Sequence, residues 1–367
     1  MYRIEDQLLF SCLKNNGYLE IDSDYGALNW EYFLKRSREE RIEPLIYNYL
    51  KEKEIWPAML EEVRETLKRS YYRTAKDNIT FAYELNHILE SFSREGIDLI
   101  LLKGIPMIEE LYGNMALRFS SDMDLLIRPG DFNRAREVLE GLGFLNTPGH
   151  PEEFRKDNIE VDLHWHLTTV RVKSRIKAFS INMTNIWDRA VSVTIEGKEV
   201  KVPSHVDLLV YLSLHLSLHH GLEGLRWLVD ISRLIKRYRK EIDWSGLVKE
   251  VRAARMSWPV YSPLYAAWRL LEVDIPKWVL AELKPRGFRF FERRLEKIFI
   301  GAESSEGTKF FLTLLSLPGL AKINLLAELL CPSKATLRSI YYVSPSKSIW
   351  PFYFVHWQRI ISSLFPK

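Results

Sequence analysis

The 367-residue chain has only two cysteines, Cys12 and Cys331, and they stand at opposite ends of the sequence. That scarcity excludes a disulfide framework and a cysteine-based zinc spacing. Long apolar runs are missing as well. No stretch reaches the ~18 residues of a membrane span, and the nearest, Phe310 to Leu320, is interrupted by Pro318 and Gly319. The opening Met-Tyr-Arg-Ile-Glu-Asp has no basic segment leading into an apolar one, so no secretory signal is visible and a cytoplasmic protein is expected. Charge of one sign does not dominate either. The net charge is +4 and the pI near 8.8, with both signs interspersed, which permits a nucleic-acid partner without demanding one. No internal repeat is present.

What the chain has in quantity is apolar side chain, 47% of residues, enough at this length for two or three cores. Its 11 tryptophans point to large aromatic cores, burial being the commoner use of such residues. Residues 1–94 carry helical periodicity, with Leu8, Leu9, Cys12 and Leu13 forming one stripe and Tyr32 to Leu50 and Met59 to Leu89 forming others. Breaks fall at Asp22 to Tyr25 and Lys53 to Pro57, and a long helix is expected from Pro57 to Arg94.

Strand signals concentrate between residues 95 and 203. Ile97 to Leu102 is nearly continuous Ile and Leu, the pattern of a strand buried on both faces. A short helix follows over Ile105 to Tyr112, stopped by Gly113-Asn114. The next strand begins at Asp122. Pro129-Gly130-Asp131 reads as a turn, with Asp131 the N-cap of a helix from Phe132 to Glu140. Phe144 and Leu145 enter a short strand, Ile159 to Trp165 forms another, and Val191 to Ile195 with Glu199 to Val202 reads as a hairpin.

From Ser204, a plausible N-cap, the pattern returns to helix. Val206 to Leu218 is apolar on nearly every face; Leu225 to Tyr238, Trp244 to Met256 and Pro263 to Glu272 continue helically. Gly301 to Gly307 is a polar break, and Lys309 to Lys367 lacks clean periodicity. The expectation is an α+β protein in three parts: an N-terminal helical region over 1–94, a small mixed sheet over 95–203, and a C-terminal helical domain over 204–367.

The chemistry gathers around Leu101-Leu102-Lys103-Gly104 and Arg118-Phe119-Ser120-Ser121-Asp122-Met123-Asp124-Leu125-Leu126-Ile127. Side chains two apart on a strand share a face, so Asp122 and Asp124 point the same way, about 6.6 Å apart at Cα. Adjacent carboxylates repel unless a cation or proton intervenes, and hard oxygen ligands suit Mg²⁺ or Mn²⁺. The apolar surroundings argue against the commoner solvated Asp-x-Asp turn. A third acid, Asp162, lies in the alternating Ile159-Glu160-Val161-Asp162-Leu163-His164-Trp165.

A strand closing on Gly, an Asp-x-Asp strand and a lone Asp on a later strand resemble the polymerase-beta-like nucleotidyltransferase superfamily. More narrowly, Leu-Leu-Lys-Gly, Arg118, Ser121 to Leu126, Gly141-Leu142-Gly143-Phe144 and Val161 to Trp165 look like the bacterial family of uncharacterised nucleotidyltransferases. The resemblance is firm over about 95–170 and looser to about 250. It implies a nucleotidyltransferase core over 95–203 and metal-dependent transfer of a nucleoside monophosphate from an NTP to a hydroxyl, with release of pyrophosphate. It further implies that Asp122, Asp124 and Asp162 are catalytic and hold two ions, Mg²⁺ or Mn²⁺.

Other residues carry two readings each. Gly104 lets backbone N–H groups approach a phosphate at a helix start. Lys103, where the superfamily more often has Gly-Ser or Gly-Gly, is either a nucleotide contact or a surface lysine. Arg118 and Ser121 lie where a triphosphate is expected, and Arg118 either grips its oxygens or pairs with one of the aspartates. His164 supports an aspartate or lines the acceptor pocket; with His166 it forms a His-x-His pair, a weak zinc signal. His215, His219 and His220, with Arg226, Trp227 and Asp230, form a second polar cluster. It is either an acceptor or base pocket, chiefly through His219, Arg226 and Asp230, or a core histidine meeting Asp230. Lys236-Arg237-Tyr238-Arg239-Lys240 reads as a solvated helix end before it reads as an RNA contact. The aromatic Ile349 to Trp357 is expected to dock on the helical domain rather than on a membrane. Two rivals stand beside the transferase: a scaffold or regulatory protein that retains the fold and binds nucleotide without turnover, and a metal-dependent phosphohydrolase built on the His215–His220 cluster. The acceptor, whether RNA, protein or small molecule, is not written in the sequence.

Overall fold

The computed structural model describes residues 3–14, 28–148, 150–168, 178–195 and 197–299, with 321–334, 347–364 and isolated positions between 314 and 344. The expected breaks at Asp22 to Tyr25 and Gly301 to Gly307 lie outside the described residues. The chain folds as an α+β protein around one seven-stranded mixed sheet with helices before and after it. The strands are β1 (Leu99–Leu101), β2 (Asp122–Ile127), β3 (Leu145–Thr147), β4 (His150–Lys156), β5 (Ile159–His164), β6 (Val191–Ile195) and β7 (Lys198–Val202). Their order is β3-β4-β5-β2-β1-β7-β6, so the Asp-x-Asp strand is the middle one. Its position follows from its composition, since Met123 to Ile127 are fully buried and only a central strand covers both faces of such a run.

β2 pairs antiparallel with β1 and parallel with β5. Beyond the end of β1, Leu102 N–H donates to Asp124 O (3.0 Å), which ties the Lys103-Gly104 turn to the acid strand. Gly104 itself adopts φ 101° and ψ −135°, a region open only to glycine, and caps the helix Ile105–Tyr112. Gly113, left-handed at φ 64°, ends that helix.

The helix Glu61–Arg94 lies along the sheet unit, burying Leu67, Thr74, Asn78, Phe81, Leu85, Ile88 and Phe92 at helical spacing. It begins later than expected because Met59 and Leu60 are extended, which detaches a short helix, Ile55–Ala58. Asp131 does not cap its helix; its carboxylate takes Arg134 instead, at 3.0 Å. β4 was not foreseen, because His-Pro-Glu-Glu lacks β-prone residues. It is formed by pairing with β3 and β5 on either side.

Ser204 caps the helix His205–Leu214 by accepting from Asp207 N–H. The helix then widens into a π turn over His215–His219 rather than running on uniformly to Leu218. The helix expected from Pro263 starts at Ser257 and contains that proline. Pro263 has no N–H for the carbonyl of Pro259 four residues back, and the Ser217 hydroxyl takes that carbonyl at 2.6 Å. One apolar core runs from Leu8 to Ala321. Among the described residues the C-terminal helix, Trp350–Leu364, does not join it. It packs near a small separate cluster of Leu337, Val343 and Ile349, leaving Trp350, Phe354 and Trp357 exposed. No described helix is long and apolar enough to cross a membrane.

Candidate active site

The parallel register of β2 with β5 sets Asp124 opposite Asp162 and Asp122 opposite Glu160. Asp124 and Asp162 therefore stand side by side on one face, and they converge with His164, their ligand atoms within 4.8 Å of one another. Glu153, Glu160 and Asp162 form a second such group. Asp122, two residues before Asp124, lies nearer the surface, its side chain 24% exposed.

Lys103 is buried, and its ammonium bridges Asp122 (2.5 Å) and Asp124. Burial works against its charge, but the two carboxylates outweigh it and raise its pKa. Asp124 has the opposite history. Burial alone raises a carboxyl, while Lys103 and the His164 hydrogen bond (Nε2 to Oδ1, 2.9 Å) pull it well below the usual range. Asp162, buried beside both other carboxylates and compensated only in part by Lys103, is pushed up to about 8. Ser121 Oγ lies 3.2 Å from Asp122 Oδ1.

Arg118 is not at the aspartates. Its Nε and Nη2 donate to Asp230 at 2.8 and 2.9 Å, and Tyr112 donates to the same carboxylate at 2.5 Å. Asp230 is thereby satisfied, so the expected core histidine is not its partner. His215 instead meets His220, Nε2 to Nε2 at 3.1 Å, and stacks with His219 at 5.0 Å between ring centroids. His215, His219 and His220 do not appear in either ligand-competent group among the described residues. Burial and the Lys103 charge depress His215, and burial with Arg226 lowers His220 to about 4. His166 turns away to Thr168 at 2.8 Å, and burial lowers it to about 4.

The histidine cluster lies within electrostatic reach of the acid site, His215 feeling Lys103 and His220 feeling Lys103, Asp122 and Asp124. Trp227 joins them. His220 stacks on its ring, and Lys103, Arg118 and Arg226 lie 5.4, 5.5 and 4.1 Å from its ring centroid. A cavity of about 760 Å³ opens at the other end of β1, between Gly96, Asp98, Lys198 and Lys201, and contains none of these groups.

Compared with protein families, residues 26–272 match the model described as uncharacterised nucleotidyltransferase. The chain belongs to that family. The match starts just before the helix Trp30–Glu39, leaving out Ile4–Lys14, and runs through the sheet and past Asp230, so it takes in the histidine cluster along with the aspartates. Comparisons with curated proteins and with solved structures gave no significant match.

Two residues of this family member escaped the sequence reading. Asn78, fully buried on the long helix, donates to Met115 O (2.6 Å) and Arg118 O (2.7 Å) and accepts from Ser120 N–H (3.1 Å). It pins the loop that delivers Asp122. An amide on an apolar stripe was the available signal. Tyr211 is buried with its phenol facing Asp124, Asp122 and Asp162, and burial followed by their negative charge holds it protonated. Nothing in its sequence neighbourhood distinguished it from a core tyrosine.

Proposed function

We propose that the chain transfers a nucleoside monophosphate from an NTP to a hydroxyl acceptor, releasing pyrophosphate. The observation that carries this reading is the Asp124–Asp162 register, which gathers carboxylates from separate strands on one face with Asp122 beside them. Membership of the nucleotidyltransferase family supports it.

The residues fit a hard divalent cation. Three carboxylates face one lysine, and Asp162 keeps a proton up to about pH 8, the behaviour of a site short of positive charge. Asp122, Asp124 and Asp162 would hold Mg²⁺ or Mn²⁺, two ions by analogy with two-metal sites. When bound, such ions neutralise the charge that develops on the transferring phosphate and lower the pKa of the attacking hydroxyl.

The chain's own groups do the rest. His164 fixes the orientation of Asp124 through the 2.9 Å hydrogen bond. In its carboxylate form, Asp162 takes the acceptor proton as the hydroxyl oxygen forms its bond to the α-phosphorus. The bond from that phosphorus to the β-bridging oxygen breaks, and pyrophosphate leaves. Gly104, at the start of its helix, offers N–H groups to phosphate.

The test is incubation of the protein with each labelled NTP and Mg²⁺ or Mn²⁺ in cell extract. Transfer of label to RNA, protein or metabolite, lost in Asp122→Asn, is the expected result. Absence of labelling with all four nucleotides and both metals would sink the proposal.

A further inference from the structure

Three cationic side chains are buried among the described residues: Lys103, Arg118 and Arg226. Lys103 is neutralised by Asp122 and Asp124, and Arg118 by Asp230. Arg226, 8% exposed, forms no ion pair among the described residues, Asp230 and Asp122 acting on it only from farther off. Among the described residues its one hydrogen bond goes to the backbone, Nη1 to Phe119 O at 3.3 Å, and its guanidinium lies 4.1 Å from the Trp227 ring centroid. A buried guanidinium offers five donors and loses much hydration energy, so one left with a single long carbonyl contact is an acceptor-seeking group.

A second cation stands beside it. Arg41, exposed between the helices Trp30–Glu39 and Glu43–Leu50, places its guanidinium 5.2 Å from the ring of the same Phe119. Among the described residues no carboxylate pairs with Arg41 either, its neighbour Glu40 being held by Arg36 and Leu225 N–H. The two arginines are near enough to repel, and Arg226 is lowered to about 10 by burial first, then by Arg118 and Arg41. Phe119 lies three residues before Asp122, so the arginine pair and the acid cluster are joined by one short stretch of chain.

We infer that Arg41 and Arg226 form a receptor for the pyrophosphate end of the nucleotide, the part that leaves. This assignment rests on the nucleotidyl-transfer reading for the source of the phosphate. Two guanidinium forks on either side of Phe119, neither of them in an ion pair among the described residues, match the oxygens of two linked phosphoryl groups, which a single lysine would not grip bidentately. Arg118, held by Asp230, is not available for that task. The arrangement divides the labour: the acids would hold the cations, and the arginines hold the leaving group.

The test is calorimetric titration of the full chain with inorganic pyrophosphate in EDTA, so that arginine contacts are read without metal. Arg226→Gln and Arg41→Gln are each expected to weaken pyrophosphate binding roughly tenfold or more, while affinity for a nucleoside monophosphate is unchanged. Arg226→Lys should recover only part of the loss. Wild-type pyrophosphate affinity in either glutamine variant overturns the assignment. If Arg226→Gln does not fold, the exposed Arg41→Gln decides alone. Failure of the broader reading looks different: the wild-type protein labels no acceptor from any NTP, yet binds pyrophosphate in an arginine-dependent way.

Discussion

Arg118 and Asp230, 112 positions apart in sequence, form a two-point ion pair at 2.8 and 2.9 Å with both side chains essentially buried. The pair locks the helix Leu225–Tyr238 to the loop that precedes β2, and Tyr112 closes it from the helix after Gly104. Three segments that line the site are thus held by one carboxylate.

Removing that carboxylate strands a buried guanidinium. Asp230→Ala is expected to cost about 3–5 kcal/mol of folding stability, measured by urea denaturation. Because the cost comes from the stranded charge, adding Arg118→Met to Asp230→Leu should recover part of it. A double variant no more stable than Asp230→Ala would count against this account.

The acids differ in how cleanly they can be tested. Asp122 is partly exposed but shares the buried Lys103 with Asp124, so Asp122→Asn should lower the melting temperature less than Asp124→Asn does and lower kcat about a hundredfold or more. Asp124→Asn has the same effect on turnover but also weakens the hold on Lys103 and His164, and its melting temperature should fall. Parallel thermal melts and single-turnover rates separate the two.

Without metal, stability should peak near pH 6.5. His166 and His220 are lowered to about 4 and His215 lies well below its ordinary value. Between about pH 4 and 6.5 the unfolded chain therefore binds more protons at these histidines, and they make stability rise with pH. Asp162, raised to about 8, acts in the opposite sense, because the folded chain holds its proton after the unfolded chain has lost it. Three histidines outweigh one aspartate below 6.5. Above it the raised carboxyls remain, Asp162 first and Asp6 and Glu40 in the same sense, and stability falls, with Asp162 contributing up to about 1.4 kcal/mol per pH unit towards pH 8. Denaturation in EDTA across this range reads the curve, and Asp162→Asn should remove most of the decline above 6.5.

Asn78 satisfies three backbone groups of the loop before β2. Asn78→Ala leaves them buried without partners, at a cost of about 3 kcal/mol, and loosens the delivery of Asp122. The expected signature is a lowered melting temperature together with reduced turnover. A variant that melts lower but turns over normally would confine Asn78 to stability.

The sequence by itself determined the local elements and the acid strand. Ile105–Tyr112 lay between two glycines with special backbone angles, and Leu225–Tyr238 carried a strong apolar stripe, so both helices were legible from short-range pattern. The run Met123 to Ile127 required a strand buried on both faces, and that alone made Asp122 and Asp124 conspicuous. Tertiary structure decided what those residues meet. β4 is a strand because its neighbours supply hydrogen bonds that its own composition does not invite. The choice of Asp230 for Arg118, and the approach of the His215–His220 turn to the aspartates, depend on how separate helices pack. No sequence period encodes such encounters, because ion pairing and burial are set by distances in space between segments far apart in sequence, 112 positions for Arg118 and Asp230.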